Sequence, residues 1–172
     1  MATKDDSGRK DSITDRLSVR MRNLPHWQHG GCVYFITFRL RRDVEPSMNT
    51  QERSDVKSCA LFWNDTKWTV HMLTVMPDHV HIIATPLQRP DGSWYSLSEI
   101  LKSVKGYSAR LINRCRDRRG SVWQQESFDR IIRDDEEMRE KARYVLLNAV
   151  QRGLSEDGWS YDGFWFNPNA EW

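Results

Sequence analysis

The order of the predicted elements indicates an α+β fold built on one antiparallel sheet. Short segments rich in β-branched and aromatic residues read as strands, and longer segments with apolar residues every three to four positions read as helices. Their order, β-α-β-β-α-β-α, predicts a ferredoxin-like antiparallel sheet (β-α-β-β-α-β) with an added C-terminal helix. In this topology the third strand is central, helices cover one face of the sheet, and the other face stays open.

The strands share a high content of residues that favour extended backbone. They are predicted at 32–40, 67–76, 79–85 and 127–133. Pro77 and Asp78 separate the second strand from the third, and a proline at the first central position of a turn suits a tight hairpin. The fourth segment is short enough to be an edge strand.

Each helix begins at a recognisable N-terminal signal. The first two follow residue pairs with capping-box spacing, Asn49 with Glu52 and Ser96 with Glu99. The third begins at 134–137, where four acidic residues suit the positive end of the helix dipole. Glycines are predicted to end the last two helices, at Gly120 and Gly153.

The chain of 172 residues suits one domain with tails. Residues 1–25 mix acidic and basic side chains with little hydrophobicity and predict a mobile charged arm. Residues 26–154 form the predicted domain. Residues 155–172 are rich in tryptophan and are predicted to be a C-terminal tail that packs on the domain.

The composition favours a cytoplasmic protein. No apolar run is long enough to cross a bilayer, and the N-terminal segment lacks the apolar core of a secretory signal. Cys32, Cys59 and Cys115 are odd in number and widely spaced, which suits neither a disulfide framework nor a zinc motif. We therefore expect a reducing compartment.

Two histidines on the third strand form the first candidate site. Residues two apart on a strand point to the same face, so His79 and His81 project together, about 6–7 Å apart along the strand. Val80 between them points to the opposite face and can join a core. This spacing lets both imidazoles bind one metal ion, although by itself it also suits zinc or a purely structural role.

Basic residues are concentrated in the second half of the chain. Between Lys102 and Arg133 there are nine basic residues and three acidic ones, which suits either a solvated helix face or a surface that binds a polyanion. Of Arg130 and Arg133, at most one can face the bound partner, because an odd separation places them on opposite faces of a strand. The candidate contacts are Lys102, Lys105, Arg110 and Arg114 on the second helix, Arg39 and Arg41 with Arg42 after the first strand, and Arg130.

A polar row on the last helix forms the second candidate site. An apolar stripe follows the helical period through Met138, Ala142, Val145, Leu146 and Ala149. Tyr144 and Asn148 are four residues apart and stack on one row, predicted to lie on the far side from that stripe. Such a tyrosine is either a surface residue or a functional one.

The motifs together resemble a known family. The strand PDHVH, the segment VWQQESFDRIIR and the helix ARYVLLNAVQRGL, in this order and spacing, are similar to the REP-associated tyrosine transposases, of the single-tyrosine branch of the HUH (His–hydrophobic–His) nucleases. The resemblance runs from about Tyr34 to Leu154. It implies an enzyme that cleaves and joins single-stranded DNA at hairpin (REP-like) sites through a 5′-phosphotyrosine intermediate, in DNA transposition.

The resemblance also implies a role for each site residue. Tyr144 matches the nucleophile, and His79, His81 and Asn148 match the ligands of a divalent metal, Mg²⁺ or Mn²⁺. One site shared by these residues requires the C-terminal helix to lie across the open face of the sheet, with Tyr144 pointing at His79 and His81. One departure is Ala149, where the family usually has proline. The implied partner is single-stranded or hairpin DNA and not a membrane, the chain would be a monomer or a homodimer, and its place would be the nucleoid.

Several alternatives stay open from the sequence alone. The chain could be a non-catalytic single-stranded nucleic-acid-binding module, stacking bases on a sheet face that carries Val33 and Phe35. It could also be an inactive, domesticated transposase that retains DNA binding. Three further residues could have a role: Tyr107 as a nucleophile, His71 at the metal and Trp123 at the DNA. Their ordinary structural interpretations are Tyr107 at the edge of the core, His71 packed or solvated, and Trp123 anchored in the core, while His26 and His29 are expected on the surface.

Overall fold

The computed structural model describes residues 31–169, which form one antiparallel sheet with helices on both faces. The elements in chain order are β1 (Tyr34–Arg39), α1 (Thr50–Leu61), β2 (Trp68–Val75), β3 (His79–Pro86), α2 (Leu97–Cys115), β4 (Phe128–Ile131), α3 (Asp135–Gln151) and β5 (Phe164–Phe166). The predicted arm at 1–25, with His26 and His29, lies outside the described residues.

The strand order confirms the predicted fold class. The sheet runs β4-β1-β3-β2-β5 with every neighbouring pair antiparallel, so β3 is central and β4 is an edge. The order of the first four strands is the ferredoxin-like one, and α3 is the added helix. A fifth strand, β5, extends the sheet beyond β2, within the segment predicted only as a tail. With three residues, β5 is too short for an alternating pattern to reveal it.

Two apolar cores lie on the two faces of the sheet. On one face α1 and α2 cover alternate residues of the central strands, including Ile36, Phe38 and Ile82. On the other face Val145 and Ala149 of α3 pack among sheet residues. The added helix α3 therefore lies across the face that the ferredoxin-like core leaves open, with its apolar stripe buried against the sheet.

The helix termini confirm part of the predicted signals. Asn49 and Glu52 form a true capping box, with each side chain bonded to the other residue's amide nitrogen at 2.9 and 3.0 Å. Gly153, with φ of 66°, follows α3, and its amide donates to a carbonyl in the last turn of the helix. This is the left-handed position that favours glycine.

The start predicted for α2 is confirmed, because Ser96 is its N-cap residue, but the predicted capping box and the predicted end at Gly120 were wrong. The Ser96 hydroxyl pairs with Ser98 and makes no cap bond, while Glu99 pairs with Arg89 at 2.8 Å, so no capping box forms. The helix also ends at Cys115, before Gly120. A capping box needs both side chains turned toward the helix end, and here each has another partner.

Among residues 31–169, no helix has both the length and the apolar character that crossing a bilayer requires.

A buried ion pair joins α1 to the end of α2. The Glu52 side chain is 2% exposed and accepts two hydrogen bonds from the guanidinium of Arg116, at 2.5 and 2.7 Å. Burial by itself would raise the pKa of Glu52, but the bonds from Arg116 and from the Asn49 amide outweigh it and hold that pKa below its usual range. The carboxylate is charged in the fold and depends on Arg116 for its compensation.

Replacing Arg116 by methionine is expected to lower the free energy of unfolding by roughly 3–5 kcal/mol, because it leaves the Glu52 carboxylate buried and uncompensated. Urea denaturation measures the change, and Arg114→Met is the matched control, because Arg114 is exposed on the same helix. Equal stability of the two variants would contradict a structural role for the pair.

Candidate active site

The centre of the site is a row of side chains that crosses the sheet on the face covered by α3. Thr37 of β1 lies opposite His81 of β3, and His81 lies opposite Thr74 of β2. Residues directly opposite in an antiparallel pair share a face. On the same face, two residues farther along β1, Arg39 lies opposite His79. This face of the sheet is called the histidine face below.

His79 and His81 lie side by side, as their spacing predicts. Their ring centroids are 4.6 Å apart, and the two residues are 1% and 2% exposed. Burial is the main cause that lowers the pKa of both, in His81 to about 3. Both imidazoles are therefore neutral near pH 7, which is the form that binds metal ions.

Each imidazole has a neighbour at its Nδ1 atom. Asp78 Oδ1 lies 2.6 Å from Nδ1 of His79, and Thr37 Oγ1 lies 2.7 Å from Nδ1 of His81. Such bonds orient the ring and leave Nε2 as the atom available to a ligand. The Nε2 atom of His81 is buried and has no hydrogen-bond partner among the described residues.

A polar row on α3 faces this pair. The Tyr144 ring lies 5.0 Å from the His81 ring, centroid to centroid, and 6.0 Å from the ring of Phe35. Two turns later Arg152 Nη1 lies 3.5 Å from Asp78 Oδ1. Asn148 is one turn from each, so the row from Tyr144 to Arg152 runs antiparallel to β3 from His81 back to Asp78.

The prediction that this row lies on the far side of α3 from the apolar stripe was wrong, because the row lies beside the stripe. At 100° per residue Asn148 is only about 60° around the helix from Val145, which is fully buried. Asn148 is accordingly 5% exposed, while Tyr144, farther around, is 39% exposed. Tyr144 is thus accessible to a ligand at the rim of a site whose floor is buried.

These side chains fit a divalent cation. Asn148 Oδ1 is buried without a hydrogen-bond partner in the described part of the chain, as is His81 Nε2. Two neutral imidazoles and an amide oxygen form a ligand set that suits Mn²⁺ or Mg²⁺, with positions left for other ligands. Residues 31–169 contain no cluster of three His, Cys, Asp or Glu side chains, so an amide would have to supply the third protein ligand.

Two arginines surround Asp78 at the outer end of the histidine pair. Arg39 Nη1 lies 3.8 Å from Asp78 Oδ2, and Arg152 approaches from the helix side. Burial raises the pKa of Asp78, but the hydrogen bond with His79 and the two guanidinium charges outweigh it and keep the pKa below its usual value. About half of each arginine side chain is exposed, so positive charge faces solvent beside the histidines.

The other candidate DNA contacts fall into two groups. Arg41 follows β1 and pairs with Asp43 at 2.9 Å, lining a cavity of about 510 Å³ next to Arg39 and Asp78. Arg130 lies on β4, on the histidine face of the sheet, and pairs with Glu137 at 2.6 Å. These residues and Arg39 lie near the histidine face.

The basic residues of α2 lie on the opposite side of the sheet. The helix packs its apolar residues against the face that carries Val80 and Ile82. The Lys105 ammonium already has two hydrogen-bond partners, because its Nζ donates to Gln125 O at 2.9 Å and to Ser127 Oγ at 3.1 Å. The structure does not bring these four residues, Lys102, Lys105, Arg110 and Arg114, to the histidine pair.

Of the residues given a structural interpretation, His71 and Trp123 are buried, whereas Tyr107 is exposed. Tyr107 was expected at the core edge, but it is 54% exposed on α2, with the Arg110 guanidinium over its ring. Of the two environments expected for His71, packed or solvated, it has the packed one, with Nε2 2.8 Å from Thr85 Oγ1. Trp123 is anchored in the core, as expected, donating from Nε1 to Ser108 Oγ at 2.9 Å.

The alternative of a binding module that stacks bases on the sheet needs the side chains of Val33 and Phe35 to be exposed. Val33 and Phe35 do lie on the histidine face, but they are 6% and 7% exposed and belong to the core beneath α3. A base cannot stack on a ring that a helix covers.

Three site residues were missed by sequence reasoning. Asp78 directly precedes His79, and Arg152 extends the row of Tyr144 and Asn148 by one more turn, so both carried a readable signal. Thr37 carried none, because its place opposite His81 depends on the register between β1 and β3.

Comparisons with known proteins identify the family of this chain. Residues 36–145 match the family model described as "Transposase IS200 like". A Haemophilus influenzae protein described as a REP-associated tyrosine transposase is 25% identical over 109 residues, which cover 58% of this chain and 60% of that relative's length.

A solved structure, titled "Structure of the REP associates tyrosine transposase bound to a REP hairpin", shares the fold. Its TM-score is 0.66 at 19% identity, covering 84% of this chain and 82% of that one. The resemblance seen in the sequence motifs is therefore confirmed. Because the family model matches more than half of the length of this chain, the chain belongs to the IS200-like transposase family.

Proposed function

We propose that this protein is a metal-dependent endonuclease and strand transferase for single-stranded DNA, acting beside hairpin (REP-like) sites in DNA transposition. One observation carries the proposal. A partly exposed tyrosine lies 5.0 Å, ring to ring, from one of two adjacent buried histidines, and one of these carries a buried ring nitrogen with no hydrogen-bond partner among the described residues. The proposal is supported further by the family membership and by the DNA hairpin bound to the structural neighbour.

Tyr144 would act as the nucleophile. Its phenol oxygen attacks the scissile phosphorus, a new P–O bond to the tyrosine forms, and the bond to the 3′-oxygen breaks. The phenol proton ends on that oxygen, so the products are a 5′-phosphotyrosine and a free 3′-hydroxyl. The ester bond energy is conserved in the protein–DNA link, and a second 3′-hydroxyl can therefore reverse the step and join new ends.

His79, His81 and Asn148 would hold the metal ion. When bound, a divalent ion supplies positive charge to a phosphate oxygen where negative charge develops. Asp78 and Thr37 are hydrogen-bonded to Nδ1 of the two imidazoles, which would leave Nε2 of each ring free to bind the ion. Arg39 and Arg152 add fixed positive charge at the same end of the site.

The basic surface is proposed to hold the DNA backbone in two regions. Arg39, Arg41 and Arg130 would contact the single strand near the scissile phosphate. The exposed basic residues of α2 would contact a part of the DNA that lies beyond the edge of the sheet, such as the hairpin stem. Phosphate contacts of this kind weaken with salt, which a binding titration can measure.

The decisive experiment is a search for the covalent intermediate. The protein is incubated with a hairpin DNA that carries a flanking single strand labelled at its 3′ end, with Mn²⁺ or Mg²⁺, and then run on a denaturing gel. A labelled band at the mass of the protein plus the DNA fragment is expected, together with an unlabelled fragment that a polymerase can extend. No adduct with any such DNA would favour a DNA-binding module or an inactive domesticated transposase.

Replacing Asp78 by asparagine is expected to weaken metal binding by roughly 10- to 100-fold, the usual effect of losing an outer carboxylate that orients a histidine ligand. Mn²⁺ binding followed by electron paramagnetic resonance measures it without any DNA. The control is Asp43→Asn, which removes the partner of Arg41 away from the histidines. Unchanged Mn²⁺ affinity in Asp78→Asn would contradict the orienting role.

A further inference from the structure

An exposed aromatic side chain lies next to the site without a role in the chemistry described above. Phe128 begins the edge strand β4, whose first three residues are exposed, and it is itself 58% exposed. It lies directly opposite Thr37, which lies directly opposite His81. Phe128, Thr37 and His81 therefore form one row on one face of the sheet.

The exposure of Phe128 has a structural cause. Arg130, two residues later on the same face of β4, is tied to the start of α3 by its ion pair with Glu137 at 2.6 Å. The helix then crosses the sheet toward His79, leaving the first residue of β4 uncovered. This arrangement leaves an apolar ring at the mouth of the site in place of burying it.

A cavity connects this ring to the nucleophile. It has a volume of about 300 Å³, which gives room for one planar base, and its walls include Phe128, His81 and Tyr144. Since neighbouring strands are about 4.8 Å apart, Phe128 lies about 10 Å from the histidine strand. That is within reach of a base whose own phosphate group is at Tyr144.

The charges around the cavity suit a nucleotide. Arg39 and Lys141 also line it, and Lys141 Nζ lies 5.7 Å from the centre of the Phe35 ring. A cavity wall that carries an apolar ring and two cationic side chains suits the alternation of base and phosphate along a single strand. An apolar partner surface would gain nothing from these two charges.

We propose that Phe128 is the stacking platform of a nucleobase subsite, which holds the base next to the scissile phosphate. This inference rests on the proposed function, because it takes single-stranded DNA as the ligand. The subsite is tolerant of base identity, since every base offers a flat face for stacking. Phe128 therefore contributes affinity and positions the strand in line with Tyr144.

The test compares two ligands that differ only in their bases. Fluorescein-labelled oligothymidylate of twelve nucleotides and the matching sugar–phosphate chain without bases are titrated with protein in EDTA, so that no cleavage takes place. Fluorescence anisotropy gives both affinities for the wild-type protein, Phe128→Ala, Phe128→Trp and Phe62→Ala. Phe62 is the matched control, an exposed phenylalanine that follows α1 on the other side of the sheet.

The wild-type protein is expected to prefer the chain with bases. Phe128→Ala should lower its affinity for that chain by about 5- to 150-fold and leave the affinity for the abasic chain unchanged. Phe128→Trp should keep the preference, and Phe62→Ala should keep it as well. The inference is overturned if Phe128→Ala retains the wild-type preference, if it weakens both ligands equally, or if neither ligand binds.

The outcome is separable from that of the proposed function. A wild-type protein that forms the covalent adduct, while Phe128→Ala keeps its preference for bases, would reject the subsite and leave the nuclease intact. A preference for bases that depends on Phe128, in a protein that forms no adduct, would support the subsite and reject the nuclease.

Discussion

Replacing Tyr144 by phenylalanine is expected to abolish the covalent protein–DNA adduct and to reduce cleavage by at least about 10³-fold, as the loss of a nucleophile typically does. The change removes one oxygen atom and leaves the ring that packs near His81 and Phe35. The fold, the metal affinity and the DNA affinity should therefore stay at wild-type values. Denaturing gels measure the adduct, and anisotropy measures the binding.

The matched control for this variant is Tyr107→Phe. Tyr107 is the more exposed of the two tyrosines, but it lies on α2, which covers the other face of the sheet. This control should form the adduct at the wild-type rate. An adduct that persists in Tyr144→Phe, or is lost in Tyr107→Phe, would reject the assignment of the nucleophile.

Replacing His81 by leucine is expected to remove the response of the protein to Mn²⁺. A ligand that binds only the folded state stabilises it, by about 2.7 kcal/mol when the free concentration is 100 times the dissociation constant. Thermal unfolding of the wild-type protein should thus shift upward with Mn²⁺, and that of His81→Leu should not. The adduct should also fall below detection, because the site loses a ligand at its buried centre.

The stability without metal separates this effect from simple damage. The Nε2 atom of His81 is buried without a hydrogen-bond partner in the described chain, which is a cost to the metal-free fold. Leucine has a similar size and no such atom, and this gain offsets the loss of the hydrogen bond between Nδ1 and Thr37 Oγ1, so His81→Leu should unfold within about 1 kcal/mol of the wild-type protein. A large loss of stability without metal would mean that His81 is structural.

His71→Leu is the control for a buried strand histidine that bonds to a threonine. His71 pairs with Thr85, which is four residues from His81 and thus about 13 Å along β3. This variant should keep the full Mn²⁺ response. Loss of the response in both variants would contradict a site centred on His81.

Much of the fold was predictable because its signals are local. The strands β1 to β4 and the three helices follow from periodicity, and the central place of β3 follows from their order. The shared face of His79 and His81 follows from the two-residue repeat of a strand. The stacking of Tyr144 and Asn148 follows in the same way from the helical repeat.

Other features depend on contacts between distant segments. The capping box predicted for α2 does not form because Ser96 pairs with Ser98 and Glu99 pairs with Arg89. The spacing of Ser96 and Glu99 in the sequence does not reveal these two partners. The burial of Asn148 was decided by how far α3 is rotated against the sheet. The strand β5 exists because the exposed edge of β2 accepts it, since three residues carry no periodic signal of their own.

The sequence by itself determined which side chains share a face: His79 and His81 on one strand, and Tyr144 and Asn148 on one row of the last helix. The family resemblance further predicted that the last helix lies across the histidine face. Only the tertiary structure decided the contacts made there, with the Tyr144 ring against His81 and Arg152 beside Asp78. It also brought Thr37 and Phe128 into line with His81. The physical reason is that periodicity orients side chains within one element, whereas packing and strand register fix the position of one element against another.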